Sequence, residues 1–578
     1  MDINWAPPPP STTIRDLMGA NSFKQSVGVD RDSTQSVSVE MDEQLLSARS
    51  CVSKLSPQRE LAPCYHNPPS PQLTELPIEL LVDIANRLEN SDIKNLRLAC
   101  KLLASTSALR ISRVFLSANP LNVEVFRAIA DHETFRHGVI EIIYDDARLP
   151  HSAYEDASAR RPDLLRYSSS EQIGVQTNEN WFNNERQQNI QEIGRHEFHT
   201  GGQWDSHARV EQGAAEMSMQ ASWTYYQDLV RQQDEVIANN SDLEALRYGL
   251  RHFSSLQTVI ITPATHGLLF SPLYKTPMIR AFPPGFNYPI PRGWPARHEG
   301  QSSFAAAAWV NEEDTVWAEQ VRSIWRGCQI VVRALAQEQR HHHVSEFLID
   351  SNQLLTGLNC RLFEQRCEAY NDIVSVLKHP GLRRFDLSLH IDGQQQLSWP
   401  AFRSGLLRRA LAKAVDLEHF SLAADTDPDI VDEGESPPLL ETYLPIDRWP
   451  RLQHLRLWNL AVKKVEVLSF LAKIPPTLSS LDLGRLIFSD NGDYRSLLND
   501  IRRILRWQER GIRPRVRIAL PRKPYYRDGQ AVWLDKEVNE FLYGHAVNPF
   551  DARLGLNRVR QGVGVVRDAF IADYEKPW

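Results

Sequence analysis

Apolar residues recur at helical spacing near the amino end of the chain, and this pattern predicts three short helices. The first begins at Pro77, because a proline ring fixes a helical φ and lacks the N–H that a first helical position leaves unpaired. Ser91 can cap the second helix. The apolar stripe of the first helix consists of Leu80, Leu81, Ile84 and Leu88. The second and third helices carry Ile93, Leu96, Cys100 and Leu103.

So small a bundle cannot bury this many apolar side chains, and the leftover apolar surface indicates a protein partner. Spacing alone leaves an alternative open, which is an ordinary helical hairpin packed on the domain that follows.

The order of these residues resembles an F-box. The match consists of Leu76, Pro77, Glu79, Leu80, Leu81, Ile84, Leu88, Asp92, Ile93, Leu96, Arg97, Leu98, Cys100, Lys101 and Leu103, and it closes on Arg113, Val114 and Phe115. Ile93 stands where the family usually has leucine, and the tryptophan found late in many animal F-boxes is missing, as it often is in fungal members.

An F-box is a docking module, so the resemblance implies that residues 71–118 bind the Skp-type adaptor, and through it the cullin, of an SCF-type ubiquitin ligase. The adaptor-binding residues that it implies are Leu76, Pro77, Leu80, Leu81, Ile84, Leu88, Ile93 and Leu96.

A second pattern, apolar-x-x-apolar-x-apolar, recurs six times in the rest of the chain. It starts at Leu256, Val344, Leu382, Leu417, Leu452 and Leu478. Val516 and Ile518 indicate one more strand, and Val139 to Tyr144 indicate the first. Helical periodicity between strands, as in residues 314–338, makes each unit a strand plus a helix.

This pattern resembles a divergent leucine-rich repeat. The predicted fold is therefore an α/β solenoid over residues 119–525 with parallel strands on a concave face. Insertions near 150–225 and 263–312 are too polar or too rich in proline for regular units and are candidates for specificity. Residues 526–578 are expected to cap the last repeat, and residues 1–70 to be a disordered tail. An unrelated α/β domain with chance matches is the alternative.

Side chains between the apolar positions of each strand should face the concave surface, because successive residues alternate sides. These residues are Glu346, Leu348, Asp350, Arg384, Asp386, Ser388, His419, Ser421, His454, Arg456, Trp458, Ser480 and Asp482. We expect a protein substrate to contact Arg384, Asp386, His454, Arg456, Trp458 and Asp482. Trp458 and Arg456 are the first choice, because tryptophan and arginine dominate interface energetics. Partial burial of Trp458 under the next loop is the alternative.

Composition narrows the function further. A net charge of -7 on 578 residues argues against a nucleic-acid partner, and no apolar run approaches the length of a membrane span. The six cysteines form no CxxC pair, which favours a reducing compartment, so we expect an intracellular protein, cytoplasmic or nuclear.

Candidate chemical sites are weak. His341, His342 and His343 cannot converge on one metal ion from a regular helix, so we expect a solvated helix end. Asp425, Asp427 and Asp429 imitate a calcium loop, but Ile430 and Ser436 occupy the positions that need glycine and glutamate, so a solvated acidic loop is expected.

We therefore expect no cofactor, no metal and no catalytic residue. The main hypothesis is a substrate receptor of a ubiquitin ligase, which acts by proximity. A scaffold that binds the adaptor without promoting degradation is the second hypothesis. An enzyme with a zinc site at His196 and His199, with Glu197 beside them, is the third.

Overall fold

The computed structural model describes residues 73–152, 178–200, 207–295, 308–391, 394, 397–426, 435–521, 529–571 and 575–577. The predicted tail, residues 1–70, lies outside the described residues. The chain divides into two units, of which the first ends at Arg110 and the second begins at Ile111.

The first unit contains three short helices, as the apolar spacing predicts. They are α1 (Ile78–Arg87), α2 (Asn90–Ala99) and α3 (Lys101–Thr106). Their shared interior consists of Leu81, Ala85, Ile93 and Leu103. Arg110 closes the bundle, because its guanidinium donates to the carbonyl oxygens of Ala85 (3.0 Å) and Leu88 at the end of α1. The carbonyl oxygen of Ala85 also accepts from the N–H of Leu88 (3.2 Å), so the arginine adds a second donor there and caps the C-terminal end of α1.

The second unit is built on one large, mostly parallel sheet. Among the described residues, the second unit has fifteen strands, of which thirteen belong to this sheet. They are β1 (Arg113–Ser117), β2 (Glu141–Asp145), β3 (Thr258–Thr262), β4 (Glu346–Ile349), β5 (Leu358–Asn359), β6 (Arg384–His390), β7 (His419–Ala424), β8 (His454–Trp458), β9 (Ala461–Val462), β10 (Ser480–Gly484), β11 (Ile487–Phe488), β12 (Arg515–Pro521), β13 (Gln530–Leu534), β14 (Val565–Asp568) and β15 (Glu575–Pro577).

The main path through this sheet is β1-β2-β3-β4-β6-β7-β8-β10-β12-β13-β14-β15, with β5 beside β6. Neighbours are parallel from β1 to β12, and antiparallel from β12 to β15. Strands β9 and β11 form a separate parallel pair.

Helices connect the strands. They are α4 (Pro120–Asp131), α5 (Asn178–Thr200), α6 (His207–Ala214), α7 (Met219–Asn239), α8 (Ser241–His252), α9 (Pro277–Arg280), α10 (Thr315–Ser323), α11 (Arg326–Gln337), α12 (Glu368–Leu377), α13 (Pro400–Arg403), α14 (Leu406–Leu411), α15 (Leu440–Tyr443), α16 (Lys464–Ala472), α17 (Tyr494–Asp500) and α18 (Lys536–Tyr543). The unit is therefore a mixed α/β structure, as the strand-plus-helix pattern predicts.

Helices and strands share one continuous apolar core on a single face of the sheet. All the apolar positions of the six sequence motifs are buried in this core together with residues of the connecting helices. The strands pair in phase, so that the central motif positions lie side by side across the sheet. This row consists of Val259, Phe347, Phe385, Phe420, Leu455 and Leu481. Each unit buries its apolar side only by stacking on its neighbours.

The structure corrects three predictions made from the sequence. Arg113–Ser117, whose first residues were assigned to the end of the helical module, forms β1 and pairs with β2. The first strand is therefore β1 and not the segment from Val139, and the module predicted to end at 118 would contain a sheet strand. Local spacing could not show this, because a strand is defined by its partner.

The third correction concerns the insertion near 150–225, which was expected to be irregular. Its described part contains α5, α6 and the start of α7. Helices α5 and α7 pack with the segment 278–288 around an aromatic cluster of their own, which includes Trp181, Phe182, Tyr226, Phe286 and Tyr288. The two insertions thus fold against each other, which their separation in sequence concealed.

The end of the chain extends the sheet in the opposite direction. Strand β13 pairs antiparallel with β12, β14 with β13, and β15 with β14. Val538, Phe541 and Leu542 of α18 join the main core beside β12. This arrangement covers the last parallel strand, which is the role expected for residues 526–578. Among the described residues, no helix is both long enough and apolar enough to cross a bilayer.

We expect Leu457→Ala to lower the free energy of unfolding by about 2–5 kcal/mol, because Leu457 is fully buried and truncation leaves a cavity in the shared core. Urea unfolding followed by circular dichroism measures the effect. The control is Val465→Ala on α16, where the side chain is 66% exposed and a change within about 0.5 kcal/mol is expected. Equal effects of the two variants would contradict the one-sided core.

Candidate functional site

The face of the sheet opposite the helices is the candidate site, and we call it the open face. Residues predicted to lie on it are aligned in rows by the strand register. The first row is Glu346, Arg384, His419, His454, Ser480 and Arg515. The second row is Leu348, Asp386, Ser421, Arg456, Asp482 and Arg517. The third row is Ser388, Ala423, Trp458, Gly484 and Ala519.

The open face is covered at its first four strands and only partly exposed beyond them, where Arg384, His419 and Arg517 are half-buried and Asp386, Ser421 and Trp458 are buried. At the covered strands, Tyr274 packs against Ile143, Ile260 and Leu348, and its ring lies 6.1 Å from the ring of Phe115. Tyr274 belongs to the second predicted insertion, so part of that insertion lies on the sheet. Ile143, Ile260 and Leu348 lie under this loop, whereas the next strand, β6, carries Arg384 and Asp386 on the open face.

Two arginine–aspartate pairs lie on the open face, on strands β6, β10 and β12. Arg384 donates through Nε (3.2 Å) and Nη2 (2.7 Å) to the two oxygens of Asp386 on the same strand. Arg517 donates through Nε (2.6 Å) and Nη2 (2.5 Å) to the two oxygens of Asp482 on the neighbouring strand. Bidentate pairing of this kind is strong and directional. Both carboxylates are therefore fully engaged by their own arginine.

Two histidines stack between these pairs. The rings of His419 and His454 lie 4.9 Å apart at an angle of 28°. Burial, together with the positive charges of Arg384 and Arg456, lowers the pKa of His419 to about 3. Burial also lowers the pKa of His454. Near neutral pH the pair therefore adds hydrogen-bonding groups and aromatic surface to the site.

Trp458, a first choice for a substrate contact from the sequence, is buried. It is 3% exposed, because its ring lies against Gly484 of the next strand and 5.6 Å from the ring of Trp533. A Cβ at Gly484 would lie 1.9 Å from the indole, so only glycine leaves room for the ring. The sequence could not show that a neighbouring strand supplies this gap.

Arg456 lies above Trp458, with its guanidinium carbon 4.5 Å from the centre of the ring. Among the described residues it makes no hydrogen bond and no ion pair, and its Nε is buried without a partner. It lines a small cleft together with Asp350, Ser388 and Ser421. Burial raises the pKa of Asp350, and the positive charge of Arg456 acts in the opposite direction.

The predicted adaptor-binding residues of the first unit have three degrees of exposure. Pro77 and Leu80 are exposed, and Leu80 is 50% exposed. The half-buried residues are Leu76, Ile84, Leu88 and Leu96. Leu81 and Ile93 are buried inside the bundle, so they can only support a binding surface.

Sequence reasoning missed the most exposed apolar residues of this unit. Leu98 is 77% exposed and Ile78 is 57% exposed, and Val82 and Leu102 are also exposed. The sequence contained a signal for them, because these residues lie outside the apolar stripe that fills the small core. An apolar residue on the opposite side of such a helix has no internal partner.

The weak chemical sites prove to be structural in part. His342 is buried and its Nε2 lies 3.1 Å from the carbonyl oxygen of Leu335, so the expected solvated helix end is wrong for this residue. Asp425 is also buried, and it accepts from the Nδ1 of His390 (2.5 Å) and the N–H of Ile391 (2.7 Å), which corrects the solvated loop.

Asp427 and Asp429 lie outside the described residues, as do the side chains of His196, Glu197 and His199. Within the described part of the chain, no group of three histidine, cysteine, aspartate or glutamate side chains is arranged to hold a metal ion.

Comparison with protein-family models and with curated proteins finds no match to this chain. Two surfaces of the described residues are candidates for binding, namely the exposed apolar side of the three-helix unit and the charged part of the open face from β6 to β12.

We expect the stability of the protein to fall as pH decreases below about 6.5, partly through His419. Its folded pKa of about 3 lies below the ordinary histidine value, so the unfolded chain takes up the proton first and acid favours unfolding. His419→Gln should therefore lose less stability than the wild type between pH 7 and pH 4, as measured by urea midpoints. His343→Gln, at an exposed position, is the control and should follow the wild type.

Proposed function

We propose that this protein is the substrate-recognition subunit of an SCF-type cullin-RING ubiquitin ligase. Its first unit resembles an F-box and would bind the Skp-type adaptor. Its second unit, which resembles an irregular leucine-rich-repeat solenoid, would bind a protein substrate on the open face. The observation that carries the proposal is the uncovered apolar side of the three-helix unit.

The balance of buried and exposed apolar groups supports adaptor binding. Four apolar side chains fill the interior of the unit, whereas Ile78, Leu80, Val82, Leu98 and Leu102 are exposed. Covering a leucine or isoleucine contributes roughly 1.5–3 kcal/mol, so a partner on this side would gain several such contributions. Because the residue order resembles an F-box, we propose that this partner is a Skp-type adaptor.

Three features support a repeat solenoid as the substrate-binding unit. Six motif strands follow one another in the sheet with the same register, and each is preceded by helical structure. The shared core lies on one face only. The other face carries charged side chains and a stacked pair of half-buried histidines over several strands, a composition typical of selective protein interfaces.

The mechanism is proximity. A protein that binds the adaptor at one unit and a substrate at the other converts ubiquitin transfer, performed by other subunits, into an effectively intramolecular reaction. No side chain of this chain takes part in the chemical step. This mechanism requires that both surfaces bind at the same time.

We expect Leu80→Asp to abolish co-purification with the Skp-type adaptor, because the charge would be placed on exposed apolar surface that must lose its water on binding. Leu80 is half exposed, so the variant should unfold like the wild type. Leu98→Asp tests the same surface from α2. Val465→Asp, an equally exposed apolar residue on the second unit, is the matched control and should retain the adaptor.

Retention of the adaptor by both Leu80→Asp and Leu98→Asp would overturn adaptor binding by this surface. Degradation is tested by deleting residues 73–110, which leaves β1 in place, and measuring protein lifetimes in cells. A ligase receptor predicts that at least one bound partner becomes longer-lived. A scaffold that promotes no degradation predicts unchanged lifetimes for all bound partners.

A further inference from the structure

We propose that Arg456 is the receptor for a carboxylate of the bound protein, supplied by an aspartate or glutamate side chain or by a carboxy terminus. This inference rests on the proposed function only in taking the ligand to be part of a protein. It deepens the proposed function by naming the chemical group that the open face selects.

The first argument is that Arg456 lacks the partner that its neighbours have. Asp386 and Asp482 lie in the same row, and Asp482 is its direct partner in register, yet each carboxylate is held at both oxygens by Arg384 or Arg517. Among the described residues, Arg456 is left without an acceptor. A guanidinium with a buried and unpaired Nε is costly unless an anion completes it.

The second argument is the hydroxyl beside it. Ser421 is the register partner of Arg456 on the adjacent strand, and both side chains are on the open face. No hydrogen bond of the Ser421 hydroxyl occurs among the described residues, and both residues line the cleft. An oxyanion placed between them would accept from the guanidinium and from the hydroxyl. The site thus offers donors of two kinds to one small group.

The third argument is that Arg456 is held in position before binding. Its guanidinium stacks on Trp458, which is fixed between Gly484 and Trp533. Stacking on an aromatic ring leaves the edge of the guanidinium, where the N–H groups point, available for a planar carboxylate. Little conformational freedom remains to be lost when the ligand arrives.

The charges around the cleft favour a carboxylate over a phosphate. Asp350 lines the same cleft and accepts from the N–H of Asn352 at 2.8 Å, and Asp386 lies at its edge. A group with nearly two negative charges would face stronger repulsion from these carboxylates than a group with one. His419 and His454 supply no compensating positive charge near neutral pH.

The test uses the full-length chain and arrays of short peptides with random neutral residues around one fixed central position. That position is glutamate, glutamine or phosphoserine, and a fourth set of neutral peptides has a free or an amidated carboxy terminus. We expect the wild type to retain glutamate peptides at least roughly tenfold better than glutamine peptides, or free termini better than amidated ones by a similar factor.

Arg456→Gln should reduce this preference to about one. Arg456→Lys should keep part of it, because lysine retains the charge and loses the planar fork, and Ser421→Ala should lower it several-fold. The matched control is Arg451→Gln, whose arginine is exposed and pairs with Asp416, and it should leave the preference unchanged. Urea unfolding checks that each variant is folded. If Arg456→Gln does not fold, Arg456→Lys and Ser421→Ala still test the proposal.

Absence of any preference in the wild type would overturn the proposal, as would a preference that survives in Arg456→Gln. Stronger retention of phosphoserine peptides than of glutamate peptides would replace the carboxylate by a phosphorylated ligand and would also overturn it. The Leu80→Asp variant separates this proposal from adaptor binding, since it should retain the peptide preference. The experiments can therefore disprove adaptor binding without disproving the carboxylate site, and they can disprove the carboxylate site without disproving adaptor binding.

Discussion

The covering of only one face of a parallel sheet is the constraint on which the second unit depends. Successive side chains of a strand point to opposite faces, so in-phase pairing puts every buried position of β4 beside a buried position of β6, and so on across the sheet. A slip of one residue in β8 would bring His454, Arg456 and Trp458 into the apolar core. The register that builds the core therefore also builds the open face.

Parallel sheets are usually covered on both faces. The open face of this sheet is stabilised in two other ways. Over the first strands, the loop around Tyr274 covers apolar residues. From β6 onward, arginines and aspartates on the open face neutralise one another in pairs. Arg384 of the first row engages Asp386, and Arg517 engages Asp482, so both carboxylates of the second row are occupied. Among the described residues, Arg456 is therefore left without an acceptor.

The sequence was informative where the relevant interaction is local. The three helices of the first unit and the six motif strands follow from apolar spacing alone, since burial of every second or every third to fourth residue is written into each segment. It was uninformative where a distant segment decides the outcome. Trp458 is buried because Gly484 leaves room for it, His342 is buried beside Leu335, and α5 and α7 are ordered by the segment that contains Phe286. Such partners have no fixed spacing in the chain.

The two candidate surfaces differ in chemistry, and the difference is matched to two different tasks. The exposed side of α1 and α2 offers apolar groups, which bind with little demand for orientation and gain affinity in proportion to the area covered. The open face offers paired charges, neutral histidines and a single arginine, which reward a ligand only if it places an acceptor correctly. Within the proposed function, the first surface suits a constant partner shared with other receptors, because any apolar complement of the right shape is sufficient. The second suits discrimination among substrates, because a misplaced or missing carboxylate leaves Arg456 desolvated and unpaired, and that penalty falls on every wrong ligand.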